Sequence, residues 1–419
     1  MKVERPTDKL EASRTASSGG GDRILVLDGV RGIAIAMVMV YHFNFLYHLH
    51  FTAADASLPL LDELVSKTLG AGWAGVDLFF VLSGFLITGI LYDAKGPARR
   101  FFGSFYARRV LRIFPAYYGF LGLMLIALPL LNEFDAPRAI VSALPWYGGY
   151  LTNIERAINP SIRPDLFFVG HIWSLAIEEQ FYLVWPAFVF LFSRRTLLWV
   201  CAAGVVCALV LRVSFAVADM PQPFSYTLTP SRMDTLAIGA FIALAARSAG
   251  GLSTLRSYAP SIAAVSGAVV VLLGVLNDGF SPLDTWVLTM GFTAVALLFG
   301  AGLVLSIELA AASWPHRLLS HPLVRWLGRY SYAAYLLHPP VALLLARKAD
   351  VFGDTPELFG STLPGELVFA IVAAAVTLGL AWLSWWLWES RFLKLKRHFP
   401  YGGSAGGRAP ASAAPAPTA

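Results

Sequence analysis

Runs of about 20 mostly apolar residues recur along this chain from residue 27 to residue 388. Each is long enough to cross roughly 30 Å of hydrocarbon as a helix, at about 1.5 Å per residue. Inside a bilayer the backbone finds no water to bond, so a run of this length must satisfy its polar groups within its own helix. The spacing predicts an all-α chain, a polytopic bundle of about ten transmembrane helices at 27–49, 71–93, 113–132, 171–192, 196–218, 231–248, 258–277, 285–309, 330–346 and 365–388. Composition agrees: 57% of residues are hydrophobic and 14% charged, against roughly 25% charged in soluble domains. The stretch 138–156 is apolar but short and broken by Pro145, Gly148 and Gly149. It predicts a re-entrant or interfacial piece, with an eleventh span as the alternative.

With ten spans, most of the 32 Lys and Arg residues fall on the face that holds both termini, so both termini are expected in the cytoplasm. The net charge of +6 follows from this asymmetry and from anionic lipid, and it calls for no nucleic-acid partner. Tryptophans 382, 385, 386 and 388, followed by "ESRFLKLKR", mark the cytoplasmic interface of the last helix. Residues 1–22 and 399–419 are expected to be disordered cytoplasmic tails around a membrane domain at 23–398. The polar start holds no removable signal peptide by its pattern, so the first span is expected to be retained. Cys201 and Cys207 read as small buried hydrophobes. No cluster has metal-ligand spacing, no glycine pattern marks a nucleotide site, and no inverted repeat is visible.

Two of the greasy segments carry ionisable side chains. In "RGIAIAMVMVYH" Arg31 and His42 are eleven residues apart, which on a helix is three turns and about 16 Å along one face. Intramembrane ionisable groups are expensive and point to function. The plainer alternative has Arg31 paired with Asp28 and His42 bonded to a neighbouring helix. In "HIWSLAIEEQFYLVWP" His171, Ser174, Glu178 and Tyr182 form one stripe, with Glu179 about 100° away. A histidine on one helix and a carboxylate on another suffice for general-base chemistry, the carboxylate orienting the ring. Alternatively the glutamates bind a partner such as Arg232.

The loop 94–112 is basic and ends in Arg108-Arg109-x-x-Arg112, where guanidinium groups could hold phosphates by paired hydrogen bonds. Asp77 and Ser83 could line a channel, although Gly75, Ser83 and Gly84 are also what close helix packing uses, and packing is the favoured reading for Ser83. Ser231-x-x-Asp234 reads as a variant capping box. His338 precedes Pro339-Pro340, which should kink the ninth helix and could open a cavity.

Taken in order, "LDGVRGIAIAMVMVYHF", "GVDLFFVLSGFLIT", "RRVLRIFP", "HIWSLAIEEQFYLVWP", "SRMDTLAIG" and "GRYSYAAYLLHPP" resemble the membrane-bound acyltransferase-3 family over residues 24 to 395. The family moves acetyl or other acyl groups onto carbohydrates and related hydroxyl compounds. The resemblance implies a bacterial inner-membrane protein of about ten helices. It implies that Arg31 and His42 match the family's essential pair, that Arg109 and Arg112 match an Arg-x-x-Arg element linked with acyl-CoA use, and that Glu178 and Glu179 match a Glu-Glu element. Members with a secreted hydrolase-like domain continue far beyond the last helix; here transfer is expected to be completed by the membrane domain, alone or with a separate partner.

The expected activity is O-acylation of a carbohydrate or glycosylated acceptor, with His42 as general base and Glu178 or Glu179 orienting it. Arg31, Arg109 and Arg112 would hold the acyl-CoA donor, acetyl-CoA in the simplest case, and Asp77, His171 and Arg232 would contact the acceptor. No tightly bound cofactor and no metal are expected. The rivals are a proton-coupled secondary transporter using the same His, Arg and Glu residues, and a protein whose buried charges only hold helices together. Acceptor, acyl chain length and oligomeric state stay open.

Overall fold

The computed structural model describes residues 20–51, 59–130, 137–159, 164–309, 313–348, 358 and 360–401. Most of the two expected tails lies outside these residues. Residues 20–22 already belong to the first helix, and Phe399 and Pro400 lie against the helix at 98–130, where Arg108 donates to the Phe399 carbonyl and Ser104 to that of Pro400.

The described chain is helical throughout, with no strand among its described residues. The first half comprises α1 (Gly20–Phe51), α2 (Leu60–Gly70), α3 (Gly75–Asp93), α4 (Ala98–Leu130), α5 (Pro137–Gly148), α6 (Thr152–Ile158) and α7 (Trp173–Leu191). The second half comprises α8 (Arg194–Val217), α9 (Gln222–Thr227), α10 (Met233–Ala245), α11 (Gly251–Leu276), α12 (Phe292–Ile307), α13 (Trp314–Ser320), α14 (Pro322–Arg347) and α15 (Leu363–Ser384), after which short helical turns reach His398. Seven helices of the described residues are long and apolar enough to cross a membrane. The other three expected spans coincide with α7, α10 and α14, helices too short or too polar for that class. The 138–156 stretch forms α5 and α6, two short helices hinged at Tyr150, whose φ of 54° reverses the chain after Gly149.

Two parallel helix pairs organise the interior, and glycines allow both. Gly32 of α1 faces Gly328 of α14 so closely that a Cβ on Gly328 would fall 1.9 Å from the Asp28 carbonyl oxygen. Gly84 of α3 faces Gly239 of α10 in the same way, a Cβ on Gly239 falling 1.9 Å from the Val81 oxygen. Helices without a hydrophobic drive to associate pack by such backbone approach at small residues. In contrast α8 and α11 turn Trp199, Val206, Val210, Val265 and Val271 outward, where hydrocarbon would solvate them. Cys201 is buried as expected, but Cys207 is exposed on the outward side of α8.

Candidate active site

The register set by the glycines brings two histidines together. Gly32 to His42 and Gly328 to His338 are equal steps along parallel helices, so His338 Nε2 meets His42 Nδ1 at 3.2 Å, with ring centroids 4.8 Å apart. His171, just before α7, adds a third ring at 5.4 Å from that of His338. Among the described residues no group of three or more His, Cys, Asp and Glu is arranged to hold a metal ion. His338 and His171 are buried, whereas His42 is half-buried.

A cavity of about 170 Å³ lies next to this cluster. Arg31, Arg109 and Arg112 line it together with Ser83, Glu178, Glu179, Tyr182, Ser174 and Tyr335. The arginines come from α1 and α4, the carboxylates from α7, and Tyr335 from α14. Tyr335 links cavity and histidines: its hydroxyl donates to the His171 carbonyl at 2.9 Å and bonds Ser174, and its ring stands 5.5 Å from that of His338. Along the helices the order is therefore arginines, carboxylates, Tyr335, histidines. Three cations gathered in one cavity repel unless a counter-charge is present, and Glu178 lies within electrostatic reach of Arg31 and Arg109. A phosphorylated ligand would offer the same complement to all three.

The predicted residues divide into groups. The structure brings Arg31, Arg109, Arg112, Glu178 and Glu179 into one cavity wall. It does not bring either glutamate to His42. Glu178 Oε1 instead accepts from the Ser83 hydroxyl at 2.5 Å, and Ser83, itself in the cavity lining, accepts from Tyr182 at 2.9 Å, so the residue for which packing was the favoured reading holds the carboxylate in place. His42 is oriented by Val38 and His338. Arg31 does pair with Asp28, at 3.2 Å, as the plainer alternative had it. Arg232 meets neither glutamate: it pairs with Asp77 at 2.6 Å, both side chains buried and neither lining the cavity.

Sequence reasoning missed other members. Asp234 forms no capping box with Ser231, whose hydroxyl donates to the Phe224 carbonyl; it pairs with the buried Arg212 at 2.8 Å and accepts from Thr293. Arg156 of α6 donates to the Gly170 carbonyl, next to His171, and sits within electrostatic reach of Tyr41 and His42. Its only sequence signal was a cation in a short, broken apolar stretch.

The Acyl_transf_3 family model, described as an acyltransferase domain, matches residues 24–386, from the first turns of α1 to just past the end of α15. The chain belongs to this acyltransferase family. Among curated relatives the acyltransferase is 27% identical over 362 residues to the peptidoglycan O-acetyltransferase OatA of Listeria monocytogenes, covering 82% of this chain and 53% of that one. It is 29% identical over 339 residues to the Bacillus subtilis protein named "Putative peptidoglycan O-acetyltransferase YrhL", covering 76% of this chain and 48% of that one. The chain thus spans about half the length of the curated relatives it matches. No solved structure matches it.

Proposed function

We propose that this integral membrane acyltransferase moves an acyl group, acetyl in the simplest case, from acyl-CoA to a hydroxyl of a cell-envelope carbohydrate, working in the bacterial inner membrane. The observation that supports this most is the axial order of the site, from three cavity guanidinium groups to Tyr335 and then the histidines. Arginine forks suit the phosphates of a CoA donor, and the cavity beyond them suits its pantetheine arm. In the reaction the acceptor oxygen bonds the thioester carbonyl carbon while its proton passes to His42 Nε2. The carbon–sulfur bond then breaks, and the departing thiolate takes up that proton. Such a general base contributes about 10²–10⁴-fold. Glu178 and Glu179 act in this scheme on the donor side, as counter-charges that keep the arginine cavity ordered when empty of phosphate. The relatives' names make peptidoglycan the first acceptor to try.

The test is CoA release from acetyl-CoA by the purified protein in lipid, with and without peptidoglycan fragments, for wild type and a folded His42→Ala variant. Acceptor-dependent release that falls at least about a hundredfold in the variant is expected. Equal release by both proteins would remove His42 from the chemistry. Acetyl-CoA binding at no concentration, together with proton-coupled movement of a solute, would instead establish the transporter alternative.

A further inference from the structure

We infer that His338 is a positioning residue that fixes which nitrogen of His42 carries the proton, and that Pro339 is what fixes His338. The chain of hydrogen bonds begins in the backbone. Proline has no N–H, so Pro339 leaves the carbonyl of Tyr335, four residues earlier, without its helical donor. His338 fills that place: its Nδ1 lies 2.8 Å from the Tyr335 oxygen and 3.1 Å from that of Ala334. Carbonyls only accept, so Nδ1 of His338 carries the hydrogen and the neutral ring keeps its lone pair on Nε2.

That lone pair points at His42. His42 Nδ1 lies 3.2 Å from His338 Nε2 and 2.9 Å from the Val38 carbonyl, and both of these partners are acceptors. One assignment satisfies all four contacts: Nδ1–H on His338, and Nδ1–H on His42 shared between Val38 and His338. The lone pair of His42 is then on Nε2, the nitrogen turned away from both partners. A base must present its lone pair to the proton that it takes, so the pair holds His42 in the working tautomer before any substrate arrives. His338 is fully buried whereas His42 is half-buried, so His338 acts through His42.

The inference rests on the proposed acyl transfer only for its kinetic consequence; the tautomers can be read without it. The experiment is therefore in two parts, on the full chain in lipid. In the first, ¹⁵N spectra of histidine-labelled protein, with His42→Gln and His338→Gln used to assign the signals, should show hydrogen on Nδ1 and a bare Nε2 for both rings. In a Pro339→Ala variant, where residue 339 regains its N–H, the His338 signals should spread over both tautomers. A wild-type His42 with hydrogen on Nε2 would overturn the proposal whether or not the protein transfers acyl groups. In the second part, His338→Phe keeps the ring but removes the acceptor, whereas His338→Gln supplies an acceptor oxygen. We expect kcat to fall at least about tenfold in His338→Phe with KM for acetyl-CoA unchanged, and to recover in His338→Gln. Equal kcat in wild type and His338→Phe, or equal losses in both variants, would overturn it. An inactive wild type with the expected spectra would defeat the acyl-transfer proposal and leave the tautomer assignment standing.

Discussion

Arg232 Nη2 lies 2.6 Å from Asp77 Oδ1, with both side chains buried and the arginine carbon 3.8 Å from the centre of the Phe292 ring. The pair joins α3 to the turn that begins α10, at the same register that seats Gly84 on Gly239. Removing one partner strands the other charge in an apolar interior, a loss of about 3–5 kcal/mol. Asp77→Ala and Arg232→Ala are each expected to lower the thermal midpoint sharply in detergent. The double variant should lose less than the two single losses added together, which a double-mutant cycle measures.

A Cβ at Gly328 would collide with the backbone of α1, and backbone cannot swing aside as a side chain can. Gly328→Ala should push α14 from α1 and cost about 1–3 kcal/mol. The displacement would also part His338 from His42, so turnover should fall more than stability alone explains. Activity per folded molecule, measured beside thermal melting, checks this.

Arg109 and Arg112 are expected to act on donor binding. Arg112→Ala should raise KM for acetyl-CoA about tenfold or more while kcat changes less. Arg109→Lys keeps the charge but loses the planar fork and should recover only part of the affinity. Titration with CoA and with dephosphorylated CoA fragments separates phosphate contacts from the rest.

Ser83 sits between the half-buried Glu178 and the buried Tyr182, donating to the first and accepting from the second. Ser83→Ala leaves both without it, a loss of about 1–3 kcal/mol. Melting temperature should drop accordingly, and Ser83→Thr, which keeps the hydroxyl, should restore most of it.

Helices were legible because length and apolar run determine them locally. The Arg31–His42 face was legible too, since both residues share one helix and the spacing alone aligns them. Partners across helices were not. His338 is 296 residues from His42, and no periodicity relates residues so distant; only the packing of Gly32 on Gly328 does. Arg212 and Asp234 failed for a different reason, because a short local motif offered Asp234 a sufficient explanation that the fold does not use. The glutamates that follow His171 invited a pairing with His42 from their residue types, whereas the roughly two helical turns after His171 carry Glu178 to Ser83 instead. A signal for His338 did exist in the sequence: a histidine directly before a proline sits three residues after the carbonyl which that proline leaves unbonded.

Because α1 is one unbroken helix from Gly20 to Phe51, Arg31 and His42 are fixed points on a rigid rod, about 16 Å apart along its axis. The rod is a ruler. On the proposed reaction, a donor that touches the arginine with its phosphates and the histidine with its thioester would be selected by its length before any chemistry occurs. An acetylated pantetheine fragment without the nucleotide would reach one mark and miss the other, and lengthening or shortening α1 by a single turn would recalibrate the enzyme for a different carrier.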